Sequence, residues 1–157
     1  MTNGDLQASV QRDFGPFLAS CALSAQGEAV AVVKAESYVE LMKSLKDRPE
    51  YAFDHLSCLT AVDMPPASKI LLVCHLWSYR YKHQMTVKTE TDRTAPKAPT
   101  LTGLWQGANW FEREVFDLYG VVFEGHPDLR RLMMPDDYKK HPLRKDFTDD
   151  GYIPKPN

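Results

Sequence analysis

Apolar residues recur along this chain with two periods, and the switches between them mark its elements. Leu6, Val10 and Phe14 fall at helical spacing, and Gly15-Pro16 ends the run because the residue before a proline avoids the helical region. That predicts a helix over 5–14. Residues 17–24 and 29–33 read as two strands joined by a turn at Gln26-Gly27, a hairpin. Tyr38, Leu41, Met42 and Leu45 then lie at i, i+3, i+4 and i+7, one face of a second helix, with Ser37 and Glu40 in the form of a capping box and Asp47-Arg48-Pro49 as the stop. Three further strands are predicted at 53–62, 70–78 and 85–91. The nearly continuous apolar run of 70–78 predicts an interior strand covered on both faces, and the alternation in 85–91 a more exposed one. The order α-β-β-α-β-β-β makes a two-layer α+β fold: a mixed five-stranded sheet with helices on one side.

After residue 92 the pattern changes. The sequence divides into a core domain (1–92), a Thr/Pro-rich linker (93–103), a docking helix (104–120) and an extended arm (121–157). In the docking helix Leu104, Ala108, Phe111, Val115 and Leu118 form one stripe, and Trp105, Phe116 and Tyr119 a second beside it, so the helix must be buried on more than one side. Gly120 stands where a C-capping glycine belongs. Arg113 and Asp117 can pair at i, i+4. Glu112, Arg113, Glu114 and Asp117 otherwise read either as a solvated face or as charges meeting a second protein. The arm has prolines at 127, 135, 142, 154 and 156 and scattered anchors such as Leu129, Leu132, Tyr138, Leu143, Phe147 and Tyr152. It cannot pack a core of its own. It is expected to lie across another surface, with Arg130, Arg131 and Arg144 making forked bonds to carboxylates or carbonyls.

Composition narrows the function. A net charge of −2 leaves no basic footprint for nucleic acid. Cys21, Cys58 and Cys74 are few and widely spaced, which fits reduced thiols and neither a disulfide framework nor a metal site. The longest apolar run, Ile70 to Trp77, is too short to cross a bilayer, and the N-terminus lacks the pattern of a signal peptide. No glycine-rich phosphate loop and no nucleophile elbow occur. His126 and His141 with Asp128 and Asp146 match no compact metal-ligand spacing. Glu112 and Glu114 lie two apart on a helix and point to different sides, which weakens an acid/base pair. A small hydrolase using His126 and Asp128 stands as a distant alternative.

Glu112-Arg113-Glu114, Asp117, His126, Arg130, Leu132 and Met133, extended by MPDDY at 134–138 and HPLRKDF at 141–147, resemble the signature of the 30 kDa subunit family of respiratory complex I. The C subunit of the bacterial proton-translocating NADH:quinone oxidoreductase is of that family. FDHLSCLTAVD at 53–63 is similar to a segment of it as well, so the resemblance covers nearly the whole chain. It implies a non-catalytic subunit of the peripheral arm that braces the quinone-module subunits, on the cytoplasmic side of the bacterial inner membrane and without inserting into it. FMN, iron–sulfur clusters and quinone would be carried by other subunits, with no cofactor or metal here. The implied partners are the hydrogenase-large-subunit-like and hydrogenase-small-subunit-like subunits and the ferredoxin-like iron–sulfur subunit. The implied partner-binding residues are Glu112, Arg113, Glu114, Asp117, Gly120, His126, Pro127, Asp128, Arg130, Arg131, His141, Pro142, Leu143, Arg144, Lys145, Asp146 and Phe147. An equivalent subunit of a membrane-bound hydrogenase or of another donor:quinone oxidoreductase would look the same. One departure is Lys140, which stands where the family usually has a glycine before His-Pro-Leu-Arg, so a turn is expected to change there. The other is the end at Asn157, short of the longer C-terminal extensions seen in the family.

Overall fold

The computed structural model describes residues 2–148; residues 149–157 of the predicted arm, including Tyr152, lie outside the described residues. The elements are α1 (Asn3–Phe14), β1 (Leu18–Leu23), β2 (Ala29–Val33), α2 (Tyr38–Asp47), β3 (His55–Met64), β4 (Lys69–Ser78), β5 (His83–Asp92), β6 (Lys97–Pro99), α3 (Ala108–Tyr119) and β7 (Val122–Glu124). Five strands form one sheet in the order β1-β2-β5-β4-β3. The β2–β5 pair is parallel and the other pairs are antiparallel, so the sheet is mixed. The fold is α+β, as the periodicities require.

Period-2 alternation explains the core. Ile70, Leu72, Cys74 and Leu76 of β4 face inward with Met85 and Val87 of β5, Ala29, Ala31 and Val33 of β2, and Leu59 and Ala61 of β3. Leu6, Val10 and Phe14 of α1 and Tyr38, Leu41, Met42 and Leu45 of α2 belong to the same cluster. The opposite face of the sheet carries no part of the core cluster: Val30, Val32, Leu71, His75 and Trp77 are half-buried, and of the residues in its middle Val73 and Thr86 are buried. This corrects the expectation that 70–78 is covered on both faces. An unbroken apolar run does not reveal that one of its faces meets only neighbouring strands. β5 is more exposed than β4, as its alternation predicts: Gln84, Glu90 and Asp92 are exposed, whereas no residue of β4 is. It lies between β2 and β4 in mid-sheet, and its polar positions Gln84, Lys88 and Glu90 lie on the face opposite the core.

Three local expectations change. Ser37 caps nothing, because it closes a 3-10 turn over Ala35–Ser37 with φ −102° and ψ 2° and makes no side-chain cap bond. The capping box is at the start of α1, where Thr2 Oγ1 accepts the Asp5 amide at 3.2 Å and Asp5 Oδ2 accepts the Thr2 amide at 2.9 Å. The segment read as linker holds β6, which pairs in parallel with β7 across α3, register Ala98 to Phe123. Ala98, Leu101, Val121 and Phe123 are buried in the same core as the sheet. The docking helix begins at Ala108 rather than 104 and runs against β3, the edge strand of the sheet, and β7.

Candidate functional site

α3 carries the charges of the motif, and the chain itself engages most of them. Glu112 and Asp117 are fully buried and Arg113 is 6% exposed, so the solvated-face reading fails for all three. The predicted Arg113–Asp117 pair does not form. Arg113 donates to the carbonyls of Arg130 and Arg131, both at 3.2 Å, and its guanidinium lies 4.9 Å from the Trp110 ring. Asp117 turns to the arm. Its Oδ2 accepts the amides of Leu132, Met133 and Met134 at 3.1, 2.7 and 2.9 Å, and its Oδ1 accepts Arg131 at 2.6 Å. Burial pushes this carboxyl upward, but the three amides and Arg131 outweigh it and hold the group below its ordinary value.

The arm also closes the end of α3. A helix leaves its last four carbonyls without partners. Here Phe116 O accepts the Gly120 amide, Asp117 O accepts Arg131 at 3.1 Å and His141 Nδ1 at 3.1 Å, Leu118 O accepts the Leu143 amide at 3.1 Å, and Tyr119 O accepts Arg144 Nε at 2.8 Å. The His-Pro-Leu-Arg run at 141–144 is therefore a C-terminal cap supplied from a distance, with Arg131 and Arg144 at the negative end of the helix dipole. Both arginines bond within the chain. Lys140 is not among the left-handed non-glycine positions, which are Ala52, Ser68 and Lys82 among the described residues. The turn before His141 therefore needs no glycine.

Gly120 does need to be glycine. Its φ is +80°, and a Cβ there would sit 2.5 Å from His141 Nε2. Gly120→Ala is expected to lower stability by about 2 kcal/mol through left-handed strain and displacement of the imidazole. Thermal unfolding checks this, and an unchanged midpoint would show that the ring moves aside freely.

A second anchor joins the arm to the sheet. Arg93 grips Asp63 with two bonds, 2.6 and 2.9 Å, and reaches Asp146 at 2.7 Å, while the Lys145 amide donates to Asp63 Oδ2 at 2.8 Å. The Arg93 bonds, opposed by burial, keep Asp63 below the ordinary aspartate range. The sequence reading missed Asp63 and Arg93. Asp63 lies in the family-like segment 53–63 but reads as the start of a turn, and Arg93 sits in a stretch that reads as linker.

Glu112 binds elsewhere. Its Oε1 accepts the Leu101 amide and its Oε2 accepts the Thr100 hydroxyl, each at 2.6 Å, so the carboxyl pins the turn after β6 to α3. Burial pushes it up to about 7, against the pull of those two bonds. His126 Nε2 lies 4.0 Å from Glu112 Oε2 and 3.3 Å from Asn109 O. His126 Nδ1 accepts the Asp128 amide, which puts the ring hydrogen on Nε2, and the Asp128 carboxylate pairs with Arg130 instead. His126 and Asp128 thus form no imidazole–carboxylate dyad. His126 meets the first turn of α3 and His141 the last, so the two histidines share no site. Glu114 is half-buried; Cys58 is raised by burial and then by the charge of Glu114. Pro127, Asp128, Arg130, Leu143, Lys145 and Asp146 are exposed, while Pro142 and Phe147 are half-buried. Trp110 and Met133, 59% and 61% exposed, are the largest apolar projections of the helix and arm.

The family model described as respiratory-chain NADH dehydrogenase, 30 Kd subunit, matches residues 31–152. This chain belongs to that family. The C subunit of the NADH-quinone oxidoreductase of Moorella thermoacetica is 49% identical over 74% of this chain and 77% of its own length. NADH-ubiquinone oxidoreductase subunit 9 of Reclinomonas americana is 44% identical over 84% of this chain and 65% of its own. Among solved structures, a trypsin-resistant fragment of Nqo5 superposes with a TM-score of 0.68 at 28% identity, over 79% of this chain and 98% of that one. A chain of the membrane-bound sulfane sulfur reductase, an archaeal respiratory membrane complex, superposes with a TM-score of 0.79 at 26% identity, over 92% and 85%. No helix among the described residues is long and apolar enough to cross a membrane.

Proposed function

We propose that this 30 kDa-family chain is a structural, non-catalytic subunit in the peripheral arm of a proton-translocating NADH:quinone oxidoreductase. In this reading it braces the hydrogenase-large-subunit-like and hydrogenase-small-subunit-like quinone-module subunits, near the ferredoxin-like iron–sulfur subunit, on the cytoplasmic side of the membrane. FMN, iron–sulfur clusters and quinone are carried by other subunits of the complex. The observation that carries the reading is the engagement of the ionisable motif. Asp117, Arg113, Arg131, His141 and Arg144 are bonded to backbone groups of α3 and the arm. They build a rigid helix-and-arm unit with the exposed anchors Trp110, Met133 and Leu143 on its outside. Rigid, pre-ordered apolar anchors are what a bracing surface needs.

Recovering a tagged full chain from membranes tests this. Co-purification with the hydrogenase-large-subunit-like protein and with NADH-driven quinone reduction is the expected result. Recovery without that subunit overturns it. A second reading has one specific support, the likeness to the archaeal sulfane sulfur reductase chain over 92% of this one. It makes this the equivalent subunit of a complex fed by another donor. Quinone-module subunits recovered without NADH-driven activity would favour that reading.

A further inference from the structure

The sheet face opposite the core carries one connected polar row. Glu28 stands just before β2, Gln84 and Thr86 on β5, and His75 and Trp77 on β4. The register sets Thr86 beside both Val30 and His75, and Gln84 beside Trp77. Facing residues of neighbouring strands have Cβ atoms about 5 Å apart, and alternate residues of one strand are about 7 Å apart, so one long side chain can span the row. Thr86 is buried; its Oγ1 donates to Glu28 Oε1 at 3.0 Å and lies 3.0 Å from His75 Nδ1. A hydroxyl has one hydrogen to give, and the carboxylate takes it. His75 Nδ1 is then the donor to Thr86, which leaves the ring a lone pair on Nε2. That nitrogen and Glu28 Oε2 reach the surface and accept from no group among the described residues. Glu28 also pairs with no cation among them. Around the row lie Val30, Val32, Leu71 and Val73, where a sheet face left to water would carry polar side chains.

We propose that this row receives an arginine side chain presented by a neighbouring subunit of the complex. The proposal rests on the assembly reading given above. The row offers a carboxylate oxygen, an imidazole lone pair and the half-buried Trp77 ring, all suited to a cation. A guanidinium has five N–H donors in one plane. It can donate to Glu28 Oε2 and His75 Nε2 together while that plane lies on the indole. Its aliphatic stem would run over Val30. A lysine ammonium is a point charge without the planar fork, so it fits the same set less well. A carboxylate or phosphate would face Glu28 and a lone pair, and both repel it.

Two measurements decide it. In the full chain, Val32→p-benzoylphenylalanine, on the same face beside the row, is irradiated in membranes and recovered through a tag. The expected product, after cleavage by a glutamate-specific protease, is an adduct with an arginine-containing peptide of another subunit. Co-purifying subunits without an adduct, an adduct on a peptide lacking arginine, or an adduct between two copies of this chain overturns the docking site and leaves the assembly reading standing. Loss of co-purification in the unsubstituted chain overturns the assembly reading itself. In the isolated full chain, the Trp77 indole ring resonances, identified by their absence in Trp77→Phe, are followed against acetyl-Ala-Arg-Ala-amide. A saturating shift is expected, with affinity about ten-fold lower in Glu28→Gln, the worth of one hydrogen bond to a charged group. Glutamine keeps an oxygen for the Thr86 hydroxyl, so the loss reads the charge and not the row's own bonding. An equal response to the uncharged citrulline peptide or to the lysine peptide, or no response, overturns the site.

Discussion

Asp117→Ala is expected to free the arm from α3 and to lower stability by about 3–5 kcal/mol, the scale for removing one partner of a buried charge pair. The carboxylate is fully buried and Arg131, its partner at 2.6 Å, nearly so. Removing it takes the carboxylate from the Arg131 guanidinium, which keeps only the carbonyls of Asp117 and Lys140, and orphans three amides, at 132–134, that it alone accepts among the described residues. Arg131 and His141 also share Asp117 O, so the cap over the last turn should loosen together with the arm. Limited trypsin digestion would then cut after Arg130 and Arg131 at a rate the native chain does not show, and urea unfolding would show the lost stability. Asp117→Asn keeps an acceptor oxygen but not the charge, so it should fall between the two. The pH dependence has a definite sign. A carboxyl held below its ordinary value of 3.8 contributes stability that is present above that pH and is lost as pH falls through its lower folded value. The arm should therefore release in acid before the sheet unfolds. A variant that melts and resists trypsin like the native chain would mean that the Arg93–Asp63–Asp146 anchor alone holds the arm.

Most of the sheet was legible because alternation and helical stripes are local signals. The strand at 29–33 matches to the residue, and the two helices of the core differ only at their ends. What failed was of two physical kinds. Alternation does not say which strands are neighbours, so nothing in 83–92 reveals that the crossover through α2, β3 and β4 returns β5 to mid-sheet. Short pieces stabilised by distant partners leave no period: β6 and β7 are three residues each and exist through each other and the shared core. The motif was legible as a motif, yet its internal bonding was not. Arg113 and Asp117 are spaced to pair on the helix, and only the returning arm shows that each has a better partner. The arginine-first order is the weaker one at i, i+4, which lowers the cost of that exchange. The resemblance pointed to residues at an interface. The fold places many of the same residues inside the unit that would present the interface, with exposed Trp110, Met133 and Leu143 as its outer points.

Glu112→Gln is expected to stabilise the folded chain at pH 8 while leaving it little changed or slightly weaker at pH 5. Burial raises this carboxyl from an ordinary 4.5 to about 7. Between those values the folded chain keeps a proton that the unfolded chain releases, so stability falls as pH rises through the window. Above pH 7 the cost has levelled off at about 3 kcal/mol. Beyond the Leu101 amide and the Thr100 hydroxyl, no group donates to the carboxylate among the described residues. His126 donates toward Asn109 O, while Tyr38 and Cys74 across the core are bonded to each other at 3.1 Å. Burial pushes the Cys74 thiol up to about 12, so Cys74 and Glu112 resist ionising together. Glutamine has the same shape and no proton to lose. Its carbonyl can take the Leu101 amide, and its NH₂ can donate to Thr100 Oγ1, whose own hydrogen can turn to Thr102 at 2.9 Å. Burial lowers His83 and His141 from the ordinary imidazole value and gives folding a pH dependence of its own, so the informative quantity is the difference between the native chain and Glu112→Gln. Urea midpoints at pH 5 and pH 8 give that difference. It should move in favour of the variant as pH rises, and a difference that stays constant across the window would mean that Glu112 is ionised in the fold and held by Thr100 and Leu101 as a charge.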